Sequence, residues 1–549
     1  MGASSRPGPE LGIVALLHRD RRRLLPALCA VFVTYGYFVG APAWNQNSRF
    51  ALTRALVESG ITAIDPYHHT TGDKSWREGH FYSDKAPGAS LLALPAYTLA
   101  YGITRASGGE LAAAEIVPIR PPIGKMPDDA KRPTTTSPDE NSDNKLKRDP
   151  GVPDEGERLH YNRAYRLALY LCRLLSTSLL AVFGIAALYL LVLYRLHDDR
   201  RGALAIALIY GLGTPAFVYS TAFYGHQLAA DCLLIALAAI VYARRPSRYL
   251  AAGTCLGWAV LCEYTAAVPV VLLVLTAFLL GGRRGALFTA LGGLPWAGLL
   301  GLYHWAAFGS PLNTGYDFVY LAQFAEGMEV HYGIATPDLR VLYNLLFSSY
   351  RGLFYLAPVL LLAAWGLVAD AFDRRLGAPK RTIAAVSLLI CLYFVLLNAG
   401  YYMWDGGAAF GPRHCVPMLP FLCLGLAPAL REVPRLLTLL ALVSIAQMTL
   451  GAAGSPEAPQ HGNPLWGHAW PRLRDAVTGS YGSSTNLGLL LGLPGWLSLL
   501  PLAALWLGIG RDLHESDTQA QANDTDIQPV IEAEATSTSG ACTRLTPKR

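Results

Sequence analysis

The chain has 549 residues, of which 52% are hydrophobic and 15% are charged. Soluble proteins carry about a quarter charged residues, so an ordinary soluble domain is excluded. Long apolar runs from Leu24 to Leu507 instead indicate a polytopic membrane protein. The formal net charge of +6 comes without a nucleic-acid signature, and the nine cysteines follow neither a disulfide framework nor zinc-site spacing.

The N-terminal region combines basic residues at 18–23 with an apolar run over 24–40. A signal peptide has the same order, and Ala41-Pro42-Ala43 faintly resembles a cleavage sequence. The apolar run is longer than a typical signal-peptide core and further apolar runs follow, which favours an uncleaved first helix. The predicted organisation is a basic cytoplasmic segment over 1–23, a membrane domain over 24–511 and a disordered cytoplasmic tail over 512–549.

Clusters of Lys and Arg separate the later apolar runs, as in short cytoplasmic loops. Placing every cluster in the cytoplasm predicts about twelve transmembrane helices with both termini in the cytoplasm. The fold class is therefore an all-α polytopic membrane protein. The predicted spans cover about 24–40, 163–195, 202–222, 227–243, 249–263, 266–281, 285–306, 353–370, 382–399, 415–430, 435–452 and 486–509.

A large external loop over about 41–162 follows the first predicted span. Apolar positions within 44–60 suit a helix lying on the membrane surface. The run 89–104 is short for a span and contains Pro95, so it is predicted to be a re-entrant or interfacial helix. Residues 106–158 are rich in Pro, Asp, Lys and Ser and poor in aromatics, which predicts a disordered insert.

Unusual polar residues collect on the predicted external face. Charges near a bilayer are costly and tend to mark functional sites. A carboxylate or imidazole there could take a proton from an acceptor hydroxyl, and Arg or Lys could hold a phosphate. The three histidines at 68, 69 and 80 lack metal-ligand spacing. The candidate residues are Arg49, Asp65, Asp73, Asp84, Lys85, His226, Arg351, Asp405, Arg413 and His414.

Some of these residues have structural alternatives. Arg49 and Arg351 could extend toward lipid headgroups, and Asp405 in "WDGG" could be a turn residue. Glu263 could cap a helix or pair locally. These alternatives stay open at the level of sequence.

Two segments resemble a known enzyme family. "YSDKAPG" at 82–88 is similar to an aromatic-x-Glu/Asp-Lys-Pro motif, and "WDGGAAFGPRHCVPMLPFL" at 404–422 is the second matching segment. With one outward helix and a large external loop, they resemble the GT-C polyprenyl-phosphate-sugar glycosyltransferases. The most similar branch contains the protein O-mannosyltransferases and the aminoarabinose lipid A transferases. The resemblance extends over about 24–450.

The resemblance implies a GT-C-like helical bundle that uses a lipid-phosphate sugar on the external face, usually with inversion at the anomeric carbon. It implies catalytic candidates, phosphate ligands and residues that contact acceptor or sugar. The catalytic candidates are Asp84, Asp65, Asp73 and His226. The phosphate ligands are Lys85, Arg413, His414, Arg351 and Arg49. The acceptor or sugar contacts are Tyr82, Asn47, Trp404 and Asp405.

One departure from the family concerns the catalytic base. Relatives generally carry an Asp soon after the first helix, whereas this chain has Asn45, Gln46 and Asn47. An amide cannot act as a general base, so Asp65, Asp73 or Asp84 takes that role, or the chain is not a transferase in the usual sense. His226 falls about where relatives carry a second Asp.

The leading interpretation is a membrane glycosyltransferase that transfers a sugar from a polyprenyl-phosphate donor to a lipid, glycan or protein hydroxyl. A transporter or flippase for a lipid-linked sugar and a non-catalytic scaffold are the alternatives. No cofactor or nucleic-acid partner is predicted, and a divalent cation stays open. The expected location is the bacterial plasma (inner) membrane. The identity of the sugar and of the acceptor and the oligomeric state are also open.

Overall fold

The computed structural model describes residues 12–118, 157–196, 199–476, 485–513 and 515. Within these ranges the chain is mostly helical. The helices before residue 263 are Ile13–Arg19, Arg21–Tyr37, Trp44–Glu58, Gly88–Leu92, Leu94–Ala106, Arg163–Arg173, Leu179–Leu196, Arg200–Gly213, Pro215–Ser220, Gly225–Val241 and Pro246–Cys262. Those after it are Ala267–Phe308, Ala322–Met328, Leu339–Phe347, Leu353–Leu356, Val359–Phe372, Ala378–Ala399, Leu419–Cys423, Leu426–Glu432, Pro434–Gly454, Trp470–Arg474 and Leu487–Leu490, followed by the helical segment Gly495–Leu513.

Five helical segments in the described ranges are long and apolar enough to cross a membrane. They are Arg163–Leu196, Tyr264–Phe308, Ala378–Ala399, Pro434–Gly454 and Gly495–Leu513. A sixth span forms if Arg413–Cys423 and Leu426–Glu432, which meet at a 51° bend, are counted together. The chain is therefore a helical membrane protein.

The predicted count of about twelve spans stays a prediction. Several predicted spans coincide with helices shorter than the ~20 residues that a bilayer requires. Arg21–Tyr37 and Pro246–Cys262 have 17 residues each, and Arg200–Gly213 has 14. Thr214 follows the last of these helices, and its side chain caps the next helix, Pro215–Ser220.

The two spans predicted at 266–281 and 285–306 correspond to the two halves of Ala267–Phe308. Gly282 lies at positive φ (68°) between them, a conformation that glycine adopts without steric cost. A side chain at Gly285 would meet the Ala277 carbonyl, although residues eight apart in a straight helix are about 12 Å apart. The chain therefore turns sharply at this position.

In the part of the chain that the structure describes, three short antiparallel sheets accompany the helices. Phe38–Val39 pairs with Thr485–Asn486, Lys74–Arg77 pairs with His80–Ser83, and Ala114–Pro118 pairs with Glu157–Tyr161. The third pair corrects the predicted boundaries of the disordered insert, since residues at both ends of 106–158 form regular structure. Residues 119–156 lie outside the described residues.

The helix Trp44–Glu58 is buried by the protein rather than lying on an open surface. Every residue from Asn45 to Ala55 is buried. Ser48 bonds Ser83 (2.8 Å), and the Ser90 hydroxyl donates to the Arg49 carbonyl (2.9 Å). The helix therefore packs against the segment containing the "YSDKAPG" motif, which sets the position of that motif.

The run predicted to be re-entrant forms two helices, Gly88–Leu92 and Leu94–Ala106, each with a proline at its start. Gly88 packs against the backbone of Leu261 and Cys262 so closely that a Cβ would collide with it. This contact brings the first loop against the end of helix Pro246–Cys262.

Candidate active site

The candidate site is a cavity of about 420 Å³ with a charged end and an apolar end. It brings together seven of the residues predicted from sequence. These are Arg49, Asp73, Asp84, Lys85, His226, Arg413 and His414. Asn45, Glu263, Tyr316 and Tyr401 line the same end, whereas Val268, Phe324, Met328, Ile334 and Leu397 contribute apolar surface.

A β-hairpin places two carboxylates beside each other. Lys74 pairs with Ser83 at its open end, so Asp73 and Asp84 leave the two strands as neighbours. The turn at the other end has positive φ at Glu78 (50°) and Gly79 (89°), as expected for a tight two-residue hairpin. This pairing explains why residues eleven positions apart meet in one site.

Lys85 bridges the two carboxylates. Its Nζ donates to Asp84 Oδ2 (2.9 Å) and lies 3.2 Å from Asp73 Oδ2. Burial raises the pKa of Asp84, with Lys85 opposing the shift. Burial would lower the pKa of Lys85, but Asp73 and Asp84 outweigh it and the pKa is raised. Lys85 is therefore a partly buried cation with two carboxylate partners, and Asp84 Oδ1 has no partner within the described ranges.

Glu263 connects a second group of charges. Its Oε1 accepts from Arg49 Nη2 (3.2 Å) and lies 3.1 Å from His226 Nδ1. Burial opposes ionisation of Glu263, but His226 and Arg49 outweigh burial and lower its pKa. His226 Nε2 has no partner among the described residues. From the sequence, Glu263 could cap a helix or pair locally, and the structure places it between Arg49 and His226.

Arg413 and His414 begin the turn Arg413–Met418, directly after a glycine-rich segment. Gly406 and Gly411 have positive φ (73° and 75°), and a Cβ at Gly406 would lie 3.0 Å from the Arg413 side chain. The guanidinium carbon of Arg413 lies 5.9 Å from the centre of the Tyr224 ring. In the part of the chain that the structure describes, Arg413 has no carboxylate partner and its Nε has no hydrogen bond.

Three predicted residues lie elsewhere in the first loop. Asp65 accepts from the Phe81 amide (2.7 Å) and pairs with His80 Nδ1 (2.8 Å), so it holds the hairpin. Asn47 donates to the Thr70 carbonyl (2.8 Å) and accepts from Tyr165 Oη (3.0 Å). The Tyr82 ring packs 5.7 Å from the Phe308 ring. None of these three lines the cavity described above.

Three further predicted residues form a separate cluster. Arg351 is fully buried and donates to three backbone carbonyls. Asp405 accepts from Tyr350 Oη (3.0 Å) and from the Gly407 amide (3.1 Å), as a turn residue does. The Trp404 ring lies 6.1 Å from the Tyr350 ring. The cavity wall near this cluster is formed by Met403 instead.

Glu457 stands in the loop segment "GSPEAP", where no sequence pattern points to a functional residue. Its Oε1 accepts from Tyr224 Oη (2.9 Å) and Gln46 Nε2 (3.3 Å). Burial raises the pKa of Glu457 to about 7. Through Tyr224 this carboxyl is linked to the surroundings of Arg413.

Metal binding was left open by the sequence. Within the described residues no group of three or more His, Cys, Asp or Glu side chains is arranged to hold a metal ion. Although His226 and His414 lie close together, with ring centres 5.1 Å apart, Lys85 and Arg413 supply positive charge at the same end of the cavity.

Solved structures of two enzymes resemble this chain. ArnT from Cupriavidus metallidurans in the apo state matches with a TM-score of 0.42 and 15% identity, over 80% of this chain and 64% of that one. ArnT bound to undecaprenyl phosphate matches with a TM-score of 0.42 and 14% identity, over 90% and 74%. An apo oligosaccharyltransferase from Archaeoglobus fulgidus matches with a TM-score of 0.41 and 12% identity, over 81% and 57%.

Both enzymes are GT-C family members, the family that the sequence motifs resemble. The chain spans about two thirds of the length of apo ArnT and less of the oligosaccharyltransferase. No protein-family model and no curated protein matches the chain. Since identities are 12–15% and TM-scores lie below 0.5, the function has to be argued from the chain's own site.

Proposed function

We propose that the chain is a membrane glycosyltransferase that moves a sugar from a polyprenyl-phosphate donor to a hydroxyl acceptor. The observation that supports this function is a cavity with Arg413, a cation that has no carboxylate partner among the described residues, at one end and apolar side chains at the other. A lipid phosphate has the same division into an anionic group and an apolar tail. The proposed location is the external face of a bacterial plasma membrane, with both chain termini in the cytoplasm.

Arg413 and Lys85 would hold the donor phosphate. A guanidinium can bind two phosphate oxygens at once, and Arg413 has no carboxylate to give up before it does so, as far as the described residues show. Lys85 shares its charge with two carboxylates but keeps one N–H for a further acceptor. As the bond from the anomeric carbon to the phosphate oxygen breaks, both cations would stabilise the charge that collects on that oxygen.

The apolar end would receive the prenyl chain. Val268 lines the cavity and is 44% exposed, and Val271 and Leu275 on the same helix are 66% and 49% exposed. Residues three or four apart share one face of a helix. An apolar surface therefore continues from the cavity wall to the outside of the helix, where the lipid tail could extend into the bilayer.

The other requirement is a base for the acceptor hydroxyl. Two candidates at the charged end retain a polar atom without a partner among the described residues, Asp84 at Oδ1 and His226 at Nε2. Asp73 and Asp84 would also keep Lys85 in place. The nature of the acceptor is left to experiment, which can supply lipid, glycan and protein hydroxyls together.

The proposal is tested with the full chain purified in detergent. We expect it to bind undecaprenyl phosphate and to release that lipid from undecaprenyl-phosphate-linked hexoses or pentoses when membranes of a strain lacking the chain supply the acceptor. Arg413→Lys should weaken binding about tenfold or more, since an ammonium cannot replace the two-pronged contact. The exposed Arg340 gives the control Arg340→Lys, which should bind normally.

Two results would contradict this function, and a third would contradict the role of Arg413. Absence of undecaprenyl phosphate binding by the unmodified chain would remove the donor site. Binding without release of the lipid from any donor would favour a transporter or a scaffold. Unchanged binding by Arg413→Lys would leave the cavity without its main phosphate ligand.

A further inference from the structure

The orientation of His226 is fixed by groups on two other segments. Its Nδ1 lies 3.1 Å from the ionised Glu263 Oε1, which favours the tautomer of the neutral ring that has its proton on Nδ1 and its lone pair on Nε2. That second nitrogen is buried, has no partner among the described residues, and belongs to a ring that lines the cavity. A histidine held in this way is prepared to accept a proton at Nε2.

The backbone holds Glu263 and His226 together. Glu263 follows the helix Pro246–Cys262, and His226 is the second residue of the helix Gly225–Val241. At Gly225 a Cβ would collide with the Cys262 carbonyl and with the Glu263 carboxylate. Only a glycine before His226 allows this approach, so the distance between the two side chains depends on backbone packing as well as on their hydrogen bond.

Arg49 completes the group because of the amide at position 45. Arg49 Nη1 donates to the Asn45 side-chain oxygen, and Arg49 Nη2 donates to Glu263. A carboxylate at position 45 would compete with Glu263 for the arginine charge, whereas an amide does not. The departure from the family pattern therefore leaves Glu263 with a cation, which keeps it ionised beside His226.

The carboxylates of the hairpin are less suited to proton transfer. Asp84 and Asp73 both contact the Lys85 ammonium, at 2.9 and 3.2 Å. A carboxylate that neutralises this partly buried cation would have to give up part of that interaction on taking a proton. His226 Nε2 has no interaction to give up, within the part of the chain described.

We propose that His226 is the general base for the acceptor hydroxyl and that Glu263 is the positioning residue that orients it. The inference rests on the proposed glycosyltransferase function and assigns its base. The acceptor O–H proton moves to His226 Nε2 as the acceptor oxygen bonds to the anomeric carbon. The bond from that carbon to the phosphate oxygen breaks, and its electron pair leaves with the polyprenyl phosphate. The proton on His226 then passes to solvent or to the departing phosphate.

Four variants of the full chain test the assignment, with undecaprenyl-phosphate-linked sugars and acceptor membranes as above. His226→Gln should lower the rate of lipid release about 100-fold or more and leave undecaprenyl phosphate binding within about twofold. Glu263→Gln should lower the rate and move the acidic limb of the pH–rate profile to lower pH, because the charge that favours the imidazolium is lost. His160 is exposed on a strand outside the cavity, and His160→Gln should match the unmodified chain. Glu263→Asp should restore part of the rate.

Other groups that face His226 stay constant in this comparison. They are Arg49, Arg413, His414 and Tyr224. The assignment is overturned if His226→Gln retains a rate within about threefold of the unmodified chain while Asp84→Asn does not. It is also overturned if the acidic limb is the same in Glu263→Gln, a readout that stands even if His226→Gln does not fold. An unmodified chain that releases no lipid overturns the glycosyltransferase function instead, so the two failures are distinguishable.

Discussion

Arg351 and Arg413 stand beside the same glycine-rich segment, and the sequence suggests one role for both, but their surroundings differ. Arg351 is fully buried, and its Nε and Nη2 donate to the carbonyls of Asp405 (3.0 Å), Gly407 (2.8 Å) and Pro459 (3.1 Å). Arg413 is partly buried, lines the cavity and has no such partners in the described structure. An arginine can thus stabilise a loop or remain available to bind an anion, depending on its hydrogen-bond partners.

Both arginines depend on the segment that follows helix Pro434–Gly454. Pro459 supplies a carbonyl to Arg351, whereas Glu457 bonds Tyr224, whose ring lies below Arg413. Substitutions in this segment should therefore affect both arginines. Through Arg351 they should change the stability of the protein, and through Arg413 they should change its affinity for the ligand.

The largest effect is expected for Arg351→Gln. Removing the guanidinium breaks three hydrogen bonds from a charged donor in a buried position, and each such bond contributes about 1.5–3 kcal/mol. We expect a loss of about 3 kcal/mol or more in unfolding free energy, measured as a lower Tm in detergent. Undecaprenyl phosphate affinity of the folded fraction should be unchanged. Weaker binding without a drop in Tm would give Arg351 the role assigned to Arg413.

The next effect concerns Lys85, a cation that is paired and yet lines the cavity. Asp84→Asn and Lys85→Met should each lower lipid release about 100-fold, since each removes an acceptor anchor or a phosphate ligand. The double variant should stay inactive. If the pair were only structural, either single change would lower Tm and the double variant would recover both Tm and near-normal release, which separates the two explanations.

A smaller effect is expected from Glu457, whose pKa burial raises to about 7. A carboxyl with a raised folded-state pKa contributes stability below its unfolded pKa of about 4.5, and this contribution is lost as pH rises through 7. Because Glu457 is partly exposed, we expect a loss of about 2 kcal/mol over this range. Glu457→Gln should flatten that part of the Tm–pH curve. An identical curve in the variant would contradict the shift.

The smallest effect is expected from the insert. Replacing about 122–154 by a short Gly/Ser linker should leave expression, Tm and undecaprenyl phosphate binding unchanged, because its composition offers little apolar surface to bury. Neither arginine contacts the strands that flank it, Ala114–Pro118 and Glu157–Tyr161, in the described structure. A collapse in expression would show that the insert packs against the membrane domain.

Composition and hydrophobic pattern were enough to predict a helical membrane protein and to select most of the charged residues that line the cavity. They were sufficient because long apolar runs and buried charges are properties of the chain itself. Asp65 and Arg351 were placed among the candidates on residue type, and only their hydrogen-bond partners show that they hold loops. The sequence offers no sign of those partners, which lie 15 and 16 positions from Asp65 and 54 to 108 positions from Arg351.

The sequence also could not predict the pairing of Asp73 with Asp84 or of Glu263 with His226. The first depends on the register of a short hairpin, and the second depends on the approach of Gly225 to Cys262. Both are set by tertiary packing rather than by local preference. The identity of the residues was informative, but their grouping required the fold.

The short strand pair that joins Phe38–Val39 to Thr485–Asn486 determines when the preceding helix, Arg21–Tyr37, can complete its packing. Beside it, Tyr37 Oη donates to the Ser498 carbonyl (2.5 Å), and Trp506 Nε1 donates to Thr34 Oγ1 (2.9 Å) across 472 positions of sequence. During synthesis the helix Arg21–Tyr37 emerges from the ribosome long before these partners exist. Its final packing is therefore completed only after the segment Gly495–Leu513 has been synthesised.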